Sequence, residues 1–238
     1  MKYLLWLLLR FRLYYILFPT RNRLARKYLS GSGIEIGALH LPLMIPDGAT
    51  VRYVDHAPSD QLRKIYPELS IFRLTPVDII DNGEELKSIA PASQDFIIAN
   101  HFLEHCENPI KTLLTHASRL KPGGVLYLAV PDRDKTFDRR RPITLLEHVI
   151  KDFREGPEWS RFEHYREWAR LVENIPEEQA DARARDLMRD RYKIHYHVWR
   201  RDDFNDLLNY ARTDLKAGFT VQATASSRNE FIFILRKE

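Results

Sequence analysis

The chain has 238 residues, 44% hydrophobic and 29% charged, the balance of an ordinary globular protein rather than a disordered or fibrous one. That length accommodates one large domain or a core with an elaborated lid. The single cysteine, Cys106, excludes an internal disulfide and a zinc cluster built on several thiolates; it reads as a packing residue and fits a reducing, cytoplasmic compartment.

The net charge of +4 is unevenly spread. Residues 1–30 hold Lys2, Arg10, Arg12, Arg21, Arg23, Arg26 and Lys27 and no acidic group, whereas the remainder carries 30 basic against 33 acidic residues. A nucleic-acid stripe is therefore not expected on the body. The apolar run Tyr3–Leu9 is far shorter than the roughly 20 residues a membrane span needs. Arg10 and Arg12 would be costly at mid-bilayer, and no small-residue cleavage site follows. Two readings of residues 1–19 remain. One is a helix lying in the inner face of the membrane, with Leu, Trp and Phe in lipid and arginines on anionic headgroups. The other is a helix packed on the body or on a second subunit. Pro19 is expected to end the segment.

From Gly33 onward, short apolar runs alternate with helical patterns. Strands are expected at Ile34–Ile36, Val51–Val54, Val77–Ile80, Phe96–Ala99 and Val125–Val130, all continuous apolar runs of the kind buried on both faces of a parallel sheet. Helices are expected at Ser59–Tyr66, Glu84–Ile89 and Pro109–Leu120, the last with Asn108 as N-cap and Pro109 at its first position. Lys121-Pro122-Gly123-Gly124 should stop that helix and turn into the fifth strand. Residues 132–193 then read as a helical insertion with helices near Thr144–Arg154, Glu158–Asn174 and Glu177–Arg191. A core helix at Asp202–Arg212 and closing strands at Phe219–Ala225 and Glu230–Leu235 complete the pattern. The expected fold is an α/β, doubly wound, mostly parallel seven-stranded sheet over residues 31–238, with residues 1–30 as a basic apolar helical segment.

In such sheets ligands bind beyond the carboxyl ends of the strands, near the switch in strand order. Four polar strand ends gather there: Glu35-Ile36-Gly37-Ala38, Asp55, Asp81-Asn82, and Asn100-His101 through Glu104-His105. Gly37 would let the backbone approach a ligand, and Asp55 could accept hydrogen bonds from ribose hydroxyls. The nicotinamide fingerprint G-x-G-x-x-G is absent from the first loop, which disfavours an oxidoreductase.

Gly33–Ala38, Asp55, Asp81–Leu86, Asp95–Ile98 with Leu103-Glu104-His105, and Leu120–Gly124 together resemble the class I S-adenosylmethionine-dependent methyltransferases of the small-molecule type. The resemblance implies S-adenosylmethionine as cofactor. It implies that Glu35 helps hold the methionine amino group and that Gly37 and Ala38 pass close to the cofactor. Asp55 would bind the ribose, Asp81 and Asn82 would border the adenine, and Asn100 and His101 would face the methionine end. Leu39 departs from the pattern, which has a second glycine there. A non-catalytic, cofactor-binding partner protein docked at the membrane is the alternative that this departure motivates.

Methyl transfer needs alignment, and an oxygen acceptor of high pKa gains from a general base. His101, His105 and Asp132 are the candidates for that chemistry, and Arg133, Arg139, His195, His197 and Trp199 for holding the acceptor. Each has a plainer reading: His105 as a brace, the Arg139–Arg141 run as a solvated face, Trp199 as core. His195 and His197, if extended, share one face at a spacing that suits two metal ligands, but no third ligand is evident and no metal is expected. The stretch from Val130-Pro131-Asp132 through Leu146-Glu147-His148 to His195–Trp199 also resembles an uncharacterised bacterial methyltransferase subfamily that accompanies polysaccharide pathways. A small molecule, sugar hydroxyl or lipid-linked glycan is the acceptor this implies, with a quinone-like lipid as the alternative.

Overall fold

The computed structural model describes residues 19–238. All but Pro19 of the segment read as membrane-lying falls outside the described residues. No described helix is long and apolar enough to cross a membrane.

Pro19 opens a helix, α1 (Pro19–Tyr28), a position where its missing N–H costs nothing. There follow β1 (Ser32–Ile36), β2 (Thr50–Asp55), α2 (Ser59–Ile65), β3 (Ile79–Ile80), β4 (Gln94–Asn100), α3 (Pro109–Arg119) and β5 (Leu120–Pro131). The insertion supplies α4 (Leu146–Glu155), α5 (Arg161–Leu171) and α6 (Glu177–Arg189), and the chain continues through α7 (Arg201–Thr213), β6 (Phe219–Ser227) and β7 (Glu230–Lys237). The seven strands form one sheet in the order β3-β2-β1-β4-β5-β7-β6, parallel except for β7, which runs antiparallel to both β5 and β6.

The expected strand runs are continuous because both faces of the sheet are covered. In β5, Leu126, Leu128 and Val130 enter one core with α3, α4 and α7, while Val125, Tyr127 and Ala129 enter the other with Leu24, Ala25 and Leu29 of α1 and its C-terminal flank. Cys106 packs in the first core, 1% exposed. Asn108 caps α3 as expected, accepting from Lys111 N at 3.0 Å.

Four local expectations fail. Residues 84–89 form turns rather than a helix. There Asp81 Oδ2 accepts from Ser88 N and Oγ, Asn82 Oδ1 accepts from Glu84 N, and Leu86 sits at φ +45°, so side chains satisfy the backbone that a helix would have used. The third strand shrinks to two residues because Asp78 Oδ2 takes the amide of Tyr53 and replaces a ladder bond beside Pro76. Residues 121–124 are a bulge inside β5, not a turn before it: pairing jumps from Gln94 with Leu120 to Phe96 with Val125. In the insertion, the helix expected at Glu158–Asn174 is a one-turn helix at Pro157–Trp159 followed by α5, with Asn174 turning away at φ +59°. There α5 and α6 enclose a small core of Tyr165, Trp168, Ala169, Ala184 and Leu187 that is closed by Ile194 and Tyr196.

Candidate active site

Strand order reverses at β1, which pairs with β2 on one side and β4 on the other. The crevice of a doubly wound sheet opens at that point. Glu35 ends β1 at 1% exposure, and both its oxygens accept from Leu43 N, at 2.9 and 3.0 Å. Burial raises its carboxyl to about 7, opposed by that hydrogen bond and by the charge of Arg21. Asn100 lies beside it, and its buried side-chain amide also helps hold the Glu35 carboxyl down.

Gly37 follows at φ +64°, and a side chain there would meet nothing nearer than Phe102 at 4.0 Å, so its backbone face is open. Ala38 lies between it and Leu39, which adopts φ +46°, the left-handed conformation that a glycine would take without cost. The Leu39 side chain packs on the cluster of Ala57, Leu62 and Leu74, and its carbonyl accepts from Thr75 N at 2.6 Å. Asp55 ends β2 at 9% exposure, with Oδ1 bound to His56 N and Nδ1, both at 2.8 Å. Asp81 and Asn82 sit at the next strand end, but their side chains bind the 81–88 turn.

At the end of β4, His101 stands at φ +50°, its side chain one-third exposed. Its Nε2 lies 2.8 Å from Glu230 Oε2, and its Nδ1 lies 3.6 Å from Glu104 Oε1. Glu230 is buried at the start of β7 and is gripped by Arg21 of α1 through Nε at 2.7 Å and through Nη2. Arg21 and His101 together hold the Glu230 carboxyl below its usual range against the opposing effect of burial. Glu104 is 1% exposed with neither oxygen hydrogen-bonded, and burial pushes its carboxyl up. Arg21 and Glu230 escaped the sequence reading. An acid opening the otherwise apolar run Glu230–Leu235 was the available signal.

The insertion reaches this edge through His195. Its Nδ1 lies 2.7 Å from Asp138, which Arg141 also binds at 3.0 Å, and its ring meets that of His105 edge-on. His105 Nδ1 is bound to Ile194 O at 2.8 Å, and burial drives its pKa to about 3, which makes it a poor base near neutrality. Asp132 is engaged by Asp134 N and Lys135, and Arg133 binds the carbonyl of Arg141. Arg139 is exposed on the rim, while Arg141 of the same run is fully buried. Trp199 is 1% exposed, packed between His197 and Phe204 in the main core. His195 and His197 do not point together: segment 192–198 is irregular, and His197 turns to His148 and His164. Thus the structure gathers Glu35, Gly37, Asp55, Asn100 and His101 along the sheet edge and brings His195 to His105. It leaves Arg139 at the rim and Trp199 in the core. Among the described residues, two sets of donors lie within 4.8 Å of one another and could hold a cation: Glu104, His105 and His195, and His148, Asp152, His164 and His197.

Residues 30–222 match the family model described as a methyltransferase domain. Among curated proteins, the ubiquinone biosynthesis O-methyltransferase of Xanthomonas campestris pv. campestris (strain B100) is 34% identical over 98 residues, 41% of this chain and 40% of the relative. The chain thus spans about two fifths of the length of that relative. A putative S-adenosylmethionine-dependent methyltransferase from Listeria monocytogenes superposes with a TM-score of 0.52 at 10% identity, covering 93% of this chain and 96% of the other. A structure described as a putative Zn-dependent alcohol dehydrogenase from Rhodobacter sphaeroides gives 0.52 at 14%, covering 95% and 90%. At such identities both likenesses concern the fold alone. With a family match over most of its length, the chain belongs to the methyltransferase-domain family.

Proposed function

We propose that this enzyme methylates an oxygen of a small acceptor, a sugar hydroxyl or lipid-linked saccharide in the first reading, with His101 as general base. The observation that carries the reading is the His101–Glu230–Arg21 chain: a partly exposed imidazole oriented by a buried, pinned carboxylate. Glu230 holds Nε2, and Nδ1, which makes no hydrogen bond at 3.6 Å from Glu104, takes the acceptor's hydroxyl proton as the new O–C bond forms.

The residues at the sheet edge fit the cofactor. An acidic Glu35 suits an ammonium, the Asn100 amide beside it suits a polar main chain, Gly37 allows close approach, and Asp55 suits a diol. When bound, S-adenosylmethionine supplies a methyl group activated by its sulfonium. The remaining work is alignment and the exclusion of water, which the insertion and α1 perform. A sugar is supported by the rim around Asp132 and Arg139, where the exposed ring of Phe137 offers an apolar face among charged groups. The basic segment 1–19 would then hold the enzyme at a membrane carrying the acceptor.

A second reading, methylation of a quinone-like lipid, is favoured by the partial similarity to the ubiquinone biosynthesis O-methyltransferase. Incubation with methyl-labelled cofactor and fractionated cell extract tests both. Label in the saccharide or lipid-linked saccharide fraction is expected. Label in the quinone fraction selects the second reading, and label in no fraction removes both.

A further inference from the structure

We propose that His148, Asp152, His164 and His197 form a binding site for a divalent transition metal, with zinc the ion that suits the donors. His148 and Asp152 lie one turn apart on α4, so their side chains share a face. His164 comes from the facing α5, and His197 from the segment that returns the chain to the core. Three imidazoles and one carboxylate are the donor types zinc takes in four-coordinate sites.

The spacing is that of a coordination shell. A tetrahedron with metal–ligand bonds of about 2.0–2.1 Å has edges of roughly 3.3 Å. Here His148 Nε2 to His164 Nε2 is 3.0 Å, His148 Nε2 to Asp152 Oδ2 is 3.3 Å, and His197 Nε2 to Asp152 Oδ2 is 3.8 Å. Asp152 is fully buried, and Oδ2 makes no hydrogen bond although three rings surround it. The Nε2 of His197 also lies 3.3 Å from the carbonyl of Glu107, a contact it gives up when it ligates. A fully buried carboxylate oxygen with no hydrogen bond, faced by three imidazoles, is the arrangement that a cation resolves.

The surroundings also fit. Ser160 Oγ donates to Asp152 Oδ1 at 3.0 Å and fixes the carboxylate from outside the cluster. A cleft of about 250 Å³ between Pro142, Leu145, Glu147 and Glu167 opens onto His148 and His164 and gives the ion a way in. The metal would tie α4, α5 and the returning segment together at one point and so fasten the insertion to the core.

The test reads metal, not methyl transfer, and is therefore independent of the proposed acceptor. The purified full chain is stripped with EDTA, then titrated with zinc or cobalt(II) and gel-filtered. About one retained equivalent is expected, together with the intense visible bands of tetrahedral cobalt and a rise in the melting temperature of the stripped protein. The His148→Ala/His164→Ala double variant should lose at least ~100-fold in affinity, whereas Glu104→Gln, in the other cluster, should retain it. Should the double variant fail to fold, the near-isosteric Asp152→Asn is measured instead, with the same direction expected. Retention below about a tenth of an equivalent, or affinity unchanged in the double variant or in Asp152→Asn, would overturn the site and leave a hydrated histidine cluster.

Discussion

The sheet edge and the helical insertion both bury histidines against carboxylates, but they treat them in opposite ways. At the edge, both carboxylate oxygens of Glu104 are buried without a hydrogen bond, the backbone of Gly37 is open, and His101 is partly exposed. In the insertion, Asp138 is saturated by Arg141 and His195, and Glu167 ties Arg141 down as well. The first region keeps unsatisfied groups for something that arrives, and the second spends its charges on its own shape. The His148–Asp152–His164–His197 cluster breaks the second pattern, with Asp152 Oδ2 buried and without a hydrogen bond.

If the contrast holds, substitutions at the edge should act on rate and ligand binding while those on the ion-pair supports act on stability. The largest effect is expected from His101→Ala. Loss of a general base should slow methyl transfer about 10²–10⁴-fold while cofactor affinity stays within a few-fold. A similar rate in the variant would move the base elsewhere. Next comes Arg21→Ala, which strands the buried Glu230 and should cost about 3–5 kcal/mol in urea unfolding.

Cofactor affinity should also follow Glu35. Its carboxyl is raised to about 7, and a bound ammonium favours the ionised form, so binding releases a proton. Affinity should therefore rise up to about tenfold per unit of pH below 7 and level off above 8, as read by calorimetry. A flat profile would separate Glu35 from the amino group. Asp55→Ala should weaken the cofactor by about 1–3 kcal/mol through lost charge-assisted hydrogen bonds.

The smallest effect is reserved for Leu39→Gly. The backbone is already left-handed there, so relief of about 1–2 kcal/mol of strain offsets lost packing on Leu62 and Leu74. Cofactor affinity should change less than about threefold.

The elements of the sheet were legible because each strand is a local apolar run punctuated by a polar end, as in Tyr53-Val54-Asp55 and Phe96 through Asn100. Asn108 announced its helix for the same local reason. What was not legible depends on contacts between distant residues. Arg21 meets Glu230 across 209 positions, and nothing in either neighbourhood names the other. His195 and His197 looked like a pair because extended chain was assumed, whereas the irregular segment sends them to partners contributed by different elements. Residues 84–89 had helical composition, yet the side chains of Asp81 and Asn82 captured the backbone first.

The Arg21–Glu230 contact also has a temporal meaning. A ribosome delivers Arg21, and Glu230 follows 209 residues later. Until β7 slots between β5 and β6, the guanidinium has no carboxylate to receive it and His101 has nothing to orient its ring. Assembly of this edge therefore waits for β7, however well the strands before it have folded.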